Sequence, residues 1–254
     1  MEESTLVLIC YAWMLIAAAV FVTMFFVTAP FGRHTSDRWG TMIDNKWGWF
    51  IMELPSFVIM ALFLFRGELS FSDLRWVLFA LWLVHYANRT FVYPLRIRAT
   101  EKKMPLFIMA SAIGFNVVNA GLNGYYLGNV APADTYGVSW AASVHTWIGA
   151  FLFLAGMSIN LRSDEYLINL RRPGETGYRI PHGGLFEFIS SPNLFGEILE
   201  WSGFALMAWN LPATTFMVWT FANLVPRAKN HHDWYLRSFP DYPKDRRVVF
   251  PFLF

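Results

Sequence analysis

Ionisable and amide side chains recur at helical spacing inside stretches of this chain that are otherwise apolar. Tyr86, Arg89 and Tyr93 fall at i, i+3 and i+7, which is one helical face, with His85 one residue off it. Glu53 lies one turn from Trp49. Asn160 and Asp164 are one turn apart, Asn193, Glu197 and Glu200 stack at i, i+4 and i+7, and Arg227, His231 and Tyr235 stack at i, i+4 and i+8. A charge at the bilayer centre costs roughly 2.5–3.5 kcal/mol on insertion scales, so such residues face an interior cavity rather than lipid. Donors and acceptors from several helices, gathered at the cytoplasmic half of a bundle, suit a large polar ligand entering from the cytoplasm.

Each row also has a plainer reading. Glu53 can pair with an arginine purely for packing, and Asn116, Asn119 and Asn123 can be hydrogen-bonded glue between helices. Lys244, Arg246 and Arg247, just outside an apolar region, read as structural or lipid-facing anchors. His231-His232 looks like a metal pair, but six scattered histidines are too few for a multi-histidine di-iron site, and no metal is expected. No G-x-G-x-x-G follows a predicted strand and no G-x-x-x-x-G-K-[ST] occurs. Any nucleotide is therefore held by side chains of helices and loops, and Arg171, Arg172 and Arg179 offer guanidinium forks for its phosphates.

The elements that must position these residues are membrane helices. The chain is 56% hydrophobic and 15% charged, where a soluble domain carries roughly 25% charged residues. Twelve Trp, ten Tyr and twenty-five Phe add the aromatic excess of membrane interfaces. A net charge of +2 gives no footing for a nucleic-acid partner, and the single cysteine, Cys10, excludes an intrachain disulfide. Acidic Glu2-Glu3 and the long apolar run after them predict a retained first span rather than a cleaved signal.

Clear spans are predicted at Thr5–Ala29, Trp47–Phe65, Trp76–Tyr93, Met104–Val130 and Tyr136–Leu161. The apolar region from about Leu185 to Pro226 is too long for one helix, and Asn210-Leu211-Pro212 divides it. Basic residues at 162–179 and 227–247 both belong on the cytoplasmic side, so two crossings must lie between them. The expected architecture is an all-α integral membrane protein of seven transmembrane helices, N-terminus outside and C-terminus cytoplasmic, forming one domain over residues 1–254.

Several segments, in order, are more specific. Glu53-Leu54-Pro55-Ser56-Phe57, His85-Tyr86 with Arg89-Thr90-Phe91-Val92-Tyr93, Gly124-Tyr125-Tyr126 and Gly156-Met157-Ser158-Ile159-Asn160 resemble the steroid 5α-reductases. So do Arg172-Pro173-Gly174-Glu175, Tyr178-Arg179-Ile180-Pro181, Gly183-Gly184-Leu185-Phe186, the stretch Arg227 to Tyr235, Asp241-Tyr242-Pro243-Lys244 and Phe250-Pro251-Phe252. The resemblance runs from about Trp49 to Phe254, while the residues before it match only as an apolar span. Leu194 and Asn223 depart from aromatic positions of the animal enzymes.

The resemblance implies a seven-helix membrane enzyme that uses NADPH to reduce the Δ4 double bond of a 3-oxosteroid. By position it implies that Glu53 and Tyr86 hold the steroid's 3-keto oxygen, and that Trp49, Phe115, Phe216 and Leu224 line the steroid cavity. It likewise implies cofactor contacts from Asn160, Asp164, Arg171, Tyr178, Arg179, Asn193, Glu197, Arg227, His231 and Tyr235. The chemistry fits these side chains. Hydride addition to an enone throws negative charge onto the carbonyl oxygen, and a donor aimed there stabilises the enolate. Tyr86 donates a phenolic proton, and a carboxyl kept neutral by apolar surroundings at Glu53 donates as well.

A reductase of another α,β-unsaturated lipid, such as a polyprenal or an enoyl thioester, is the nearest alternative. A membrane methyltransferase of the isoprenylcysteine type and a non-enzymatic lipid-binding bundle stand further off. The expected partners are a steroid or related lipid and the surrounding membrane lipid, with no nucleic acid and no obligate protein partner. The expected location is a bacterial inner membrane or the endoplasmic reticulum membrane, with the cofactor side facing the cytoplasm.

Overall fold

Lipid offers no partner for a backbone N–H or C=O, so an apolar chain satisfies these groups internally by forming helix. The computed structural model accordingly is mostly helical, and it describes residues 2–67, 73–97, 102–132, 134–170 and 177–254. Its principal helices are α1 (Glu3–Phe26), α2 (Asn45–Arg66), α3 (Arg75–Ala87), α4 (Tyr93–Arg96), α5 (Leu106–Tyr125), α6 (Val138–Ala142), α7 (Val144–Asn169), α8 (Pro192–Ala208) and α9 (Leu211–Ser238). Wider π-helical turns follow α3 at Asn88–Val92 and α5 at Tyr126–Val130. Among the described residues, four helices are long and apolar enough to cross a membrane: Glu3–Phe26, Asn45–Arg66, Leu106–Val130 and Val144–Asn169.

Three of the differences between element boundaries and the sequence expectation have a visible reason. The expected span Tyr136–Leu161 is interrupted at Ser143, whose backbone is extended and whose hydroxyl bonds to the Trp140 carbonyl and to Thr146 Oγ1, so α7 starts afresh and runs on to Asn169. The region from Leu185 enters its long helix only at Pro192. Gly183 and Gly184 take positive φ, and Phe188 to Ser190 pair with the C-terminal tail through Arg247. α5 begins after Pro105 because β2 (Lys103–Pro105) pairs antiparallel with β1 (Met42–Asp44). The break expected at Asn210-Leu211-Pro212 is present, between Ala208 and Leu211. There the Asn210 side chain accepts from the Ala213 backbone N–H at 2.9 Å, and Pro212 occupies the first helical turn.

The chain divides into two compact units. The first comprises Met1–Cys10, Pro30–Trp147 and Met207–Ala213. Asp44 caps α2, its carboxylate accepting from the backbone N–H groups of Lys46 and Trp47 at 2.9 and 3.1 Å. α2 and α5 pack closely, Phe63 filling the space beside Gly124 and Gly128. A buried cluster of Trp49, Met52 and Met104, joined by Phe31, Ile43, Tyr93 and Ile113, closes the end of this unit nearest β1 and β2.

The second unit comprises Tyr11–Ala29, Ile148–Leu206 and Thr214–Phe254. Its α7 and α8 touch backbone to backbone. A methyl group on Gly196 would stand 2.5 Å from the Asn160 nitrogen, and one on Gly156 would stand 2.8 Å from the Glu200 Cα. Leu194, Ile198, Leu224, Val225, Ala228 and Val249 form an apolar core between α8, α9 and the tail. Arg246, read above as a structural or lipid-facing anchor, is structural: it is 2% exposed and donates to the Pro181 carbonyl at 2.8 Å.

Candidate active site

In the first unit a polar cluster is set among apolar helices. Pro55 has no N–H to give the Ile51 carbonyl, so the turn carrying Glu53 lacks one internal bond. The adjacent Met52 carbonyl accepts from Asn116 Nδ2 of α5 at 2.7 Å, and the same nitrogen donates to Glu53 Oε2 at 3.2 Å. From α3, the Tyr86 hydroxyl donates to Asn116 Oδ1 at 3.4 Å. Tyr86 is 4% exposed and held in place by rings, stacked on Trp82 and edge-on to His85. One turn before Glu53, Trp49 packs on Phe31 and Tyr93 and lies under the Arg89 guanidinium at 4.7 Å. The π-helical turn after α3 carries Arg89, which stands over both Trp49 and Tyr93.

In the second unit the glycine contacts bring the faces of α7 and α8 together at their polar residues. Asn160 Nδ2 donates to the Asn193 carbonyl at 3.0 Å and to Glu197 Oε2 at 3.5 Å, while Asn193 Nδ2 donates to Asp164 Oδ1 at 2.9 Å. Nearby along the chain, Tyr178 rests edge-on against Trp234, and Tyr235 lies flat on Tyr242 with ring centroids 4.9 Å apart. The Tyr242 hydroxyl donates to Ser190 Oγ at 2.7 Å, and that oxygen is 2.6 Å from His232 Nδ1. Burial pushes the Tyr242 phenol up and holds His232 below the usual histidine range. Glu187, at the surface, is held below the usual carboxylate range by the Gly183 backbone N–H and by Arg246. Phe216 packs edge-on against Trp201, and Leu224 lies in the apolar core.

Comparison with known proteins adds an independent line. Residues 102–254 match the family model described as 3-oxo-5-alpha-steroid 4-dehydrogenase. The chain is 40% identical to 3-oxo-5-alpha-steroid 4-dehydrogenase 1 of Homo sapiens, covering 100% of this chain and 97% of that protein. It is 39% identical to a steroid 5-alpha-reductase of Solanum lycopersicum, covering 100% and 98% respectively. With 3-oxo-5-alpha-steroid 4-dehydrogenase 2 of Homo sapiens the identity is 42%, covering 88% and 87%. The chain belongs to the steroid 5α-reductase family. It is an oxidoreductase.

In this steroid 5α-reductase relative, Glu53 and Tyr86 meet through Asn116, and Asn160, Asp164, Asn193 and Glu197 form one linked group. Arg171 lies outside the described residues. Arg179 is exposed, and Arg227 and His231 are half-buried on α9. Phe115 precedes Asn116 on α5 and is half-buried. Asn116 is the residue that sequence reasoning left among helix glue. Of its neighbours, Asn123 Nδ2 donates to the Asn119 carbonyl within α5 and to the Pro212 carbonyl outside it, and Asn119 Nδ2 donates to the Phe115 carbonyl within α5. Only the tertiary pairing of α5 with α2 separates Asn116 from them, because all three lie on one face of the same helix.

Proposed function

We propose that the protein reduces the Δ4 double bond of a 3-oxo-Δ4-steroid to the 5α-reduced 3-oxosteroid, using NADPH. The observation that carries this reading is the cluster in which Glu53 and Tyr86, one acid and one phenol, converge on Asn116 within an apolar bundle. The names of the relatives, which act on 3-oxo-steroids, support the substrate class.

The donor set fits the cofactor. Asp164 and Glu197 present carboxylate oxygens suited to ribose hydroxyls and carboxamide N–H groups, and Asn160 and Asn193 supply amides beside them. Arg171, Arg179, Arg227 and His231 would answer the phosphates, and Tyr178 and Tyr235 would flank the rings. When bound, NADPH supplies the hydride that the reduction needs. The chain's own residues do the rest. Tyr86 donates its phenolic proton toward the 3-keto oxygen, and a neutral Glu53 donates beside it, so the charge that develops on that oxygen meets two preplaced donors. In the first unit, Trp49 and Phe115 present apolar surface to the steroid rings, excluding water from the enone.

In the same reading the chain is one reductase domain crossing the membrane seven times, with its N-terminus outside and the cofactor side in the cytoplasm. Purified protein incubated with NADPH and a panel of enones tests the activity. The expected result is NADPH oxidation dependent on a 3-oxo-Δ4-steroid, with a 5α-reduced product. Turnover of polyprenals or enoyl thioesters alone would overturn the steroid assignment.

A further inference from the structure

We infer that Asn116 is the positioning residue of the Glu53–Tyr86 pair, fixing through one amide which way both donors present their protons. The inference rests on the reading of Glu53 and Tyr86 as the groups that hold the substrate carbonyl.

Asn116 is 3% exposed, and the Met52 carbonyl at 2.7 Å can only accept. The nitrogen of Asn116 must therefore face α2. Its second proton goes to Glu53 Oε2 at 3.2 Å, which uses up its donor capacity. The carbonyl oxygen is left facing Tyr86, and an amide oxygen cannot donate. The contact at 3.4 Å is thus the phenol donating to Asn116, not the reverse.

Two consequences follow for the donors. Glu53 Oε2 is engaged as an acceptor from Asn116, so the proton of a neutral Glu53 resides on Oε1. The Tyr86 proton is parked on an acceptor at the long end of hydrogen-bond range. A better acceptor, such as a carbonyl oxygen acquiring charge, takes that proton without breaking a strong bond. One side chain from α5 thereby ties an acid on α2 to a phenol on α3, and the backbone bond to Met52 keeps the amide itself from turning.

Elsewhere, the Ser190–His232–Tyr242 group hydrogen-bonds the C-terminal tail to α9.

The test compares Asn116→Leu and Asn116→Asp with the parent protein, and runs Glu53→Gln and Tyr86→Phe alongside. Leu removes all three bonds at similar volume; Asp keeps an oxygen for Tyr86 and loses the donor to Glu53. With a 3-oxo-Δ4-steroid and NADPH, kcat is expected to fall about 10- to 100-fold in both Asn116 variants. The KM for NADPH and direct NADPH binding should stay within about twofold of the parent. The pH profile of kcat in Asn116→Asp should gain an ionisation, because a second carboxyl beside Glu53 titrates with it. A kcat within twofold of the parent in Asn116→Leu overturns the inference. If Asn116→Leu binds no NADPH, the near-isosteric Asn116→Asp decides, and an unchanged kcat with an unchanged pH profile overturns it. Near-normal turnover in Glu53→Gln and Tyr86→Phe instead overturns the underlying reading of the pair; loss there with retention in both Asn116 variants removes Asn116 alone.

Discussion

Two polar clusters, one in each compact unit, are built in opposite ways. In the first unit, Glu53, Asn116 and Tyr86 come from three helices and are joined by side-chain bonds of 3.2 and 3.4 Å, with one anchor to the Met52 backbone at 2.7 Å. In the second, Asn160, Asp164, Asn193 and Glu197 come from two helices whose backbones touch at Gly156 and Gly196. Where side chains do the joining, a substitution changes the chemistry and leaves the helices standing. Where backbones touch, the spacing belongs to the helices themselves, and any added carbon pushes them apart.

The largest effect should come from attacking the backbone contact. Gly196→Val places branched carbon against the Asn160 nitrogen and the Gly156 carbonyl, neither of which can swing aside. It should destabilise the protein by about 3 kcal/mol or more, seen as loss of the cooperative thermal transition in detergent. A variant that melts like the parent would show that the helices separate easily and dissolve the contrast.

Next in size, Tyr86→Phe or Glu53→Gln should lower kcat by about 100-fold, close to 2.7 kcal/mol, while the melting temperature holds. Steady-state kinetics beside a melting curve checks both halves of that statement. A smaller change is expected for Asn193→Ala, which removes the donor to Asp164 Oδ1 at 2.9 Å. The KM for NADPH should rise about tenfold, roughly 1.4 kcal/mol, with kcat at saturating cofactor preserved. If kcat falls instead with KM unchanged, the two clusters do not divide the work as proposed.

The smallest effect concerns pH. His232 lies beyond the apolar part of α9, and burial holds it below the ordinary histidine value of 6.5, so the fold favours the neutral ring. The unfolded chain then binds more protons than the folded one between the folded value and 6.5. Its contribution to stability is complete above that value and is lost as pH falls through the folded one. Melting temperatures from pH 7.5 to 5 should therefore decline, and should decline less in His232→Asn. An equal decline in both proteins would assign the pH sensitivity elsewhere.

Periodicity is why parts of this arrangement were readable in advance. Asn160 with Asp164, and Asn193 with Glu197, share helix faces because residues four apart always do. Asn210-Leu211-Pro212 marked a helix start, since Asn caps and Pro tolerates the first turn, and α9 begins there. The interruption at Ser143 was not readable. Trp140 Nε1 is bound to the Met207 carbonyl and the Tyr136 hydroxyl to the Ala208 carbonyl, and partners that far along the chain leave no local mark. For the same reason the sequence leaves open whether Arg246 is structural or lipid-facing, because the Pro181 carbonyl it serves lies 65 residues away.

By itself the sequence determined that the chain is helical and apolar, and that its acids, amides and phenols fall in rows. It also determined the family, through ordered motifs that match from Trp49 to Phe254. Only the tertiary structure decided which rows meet. Asn116, Asn119 and Asn123 are equivalent to any local rule, being the same residue type on one face of one helix. What separates them is the helix each amide reaches: Asn116 meets α2 and α3, whereas Asn119 and Asn123 bond to carbonyls of their own helix or to Pro212. Helix period acts within a turn or two, but the close packing of α2 with α5 joins residues more than sixty positions apart.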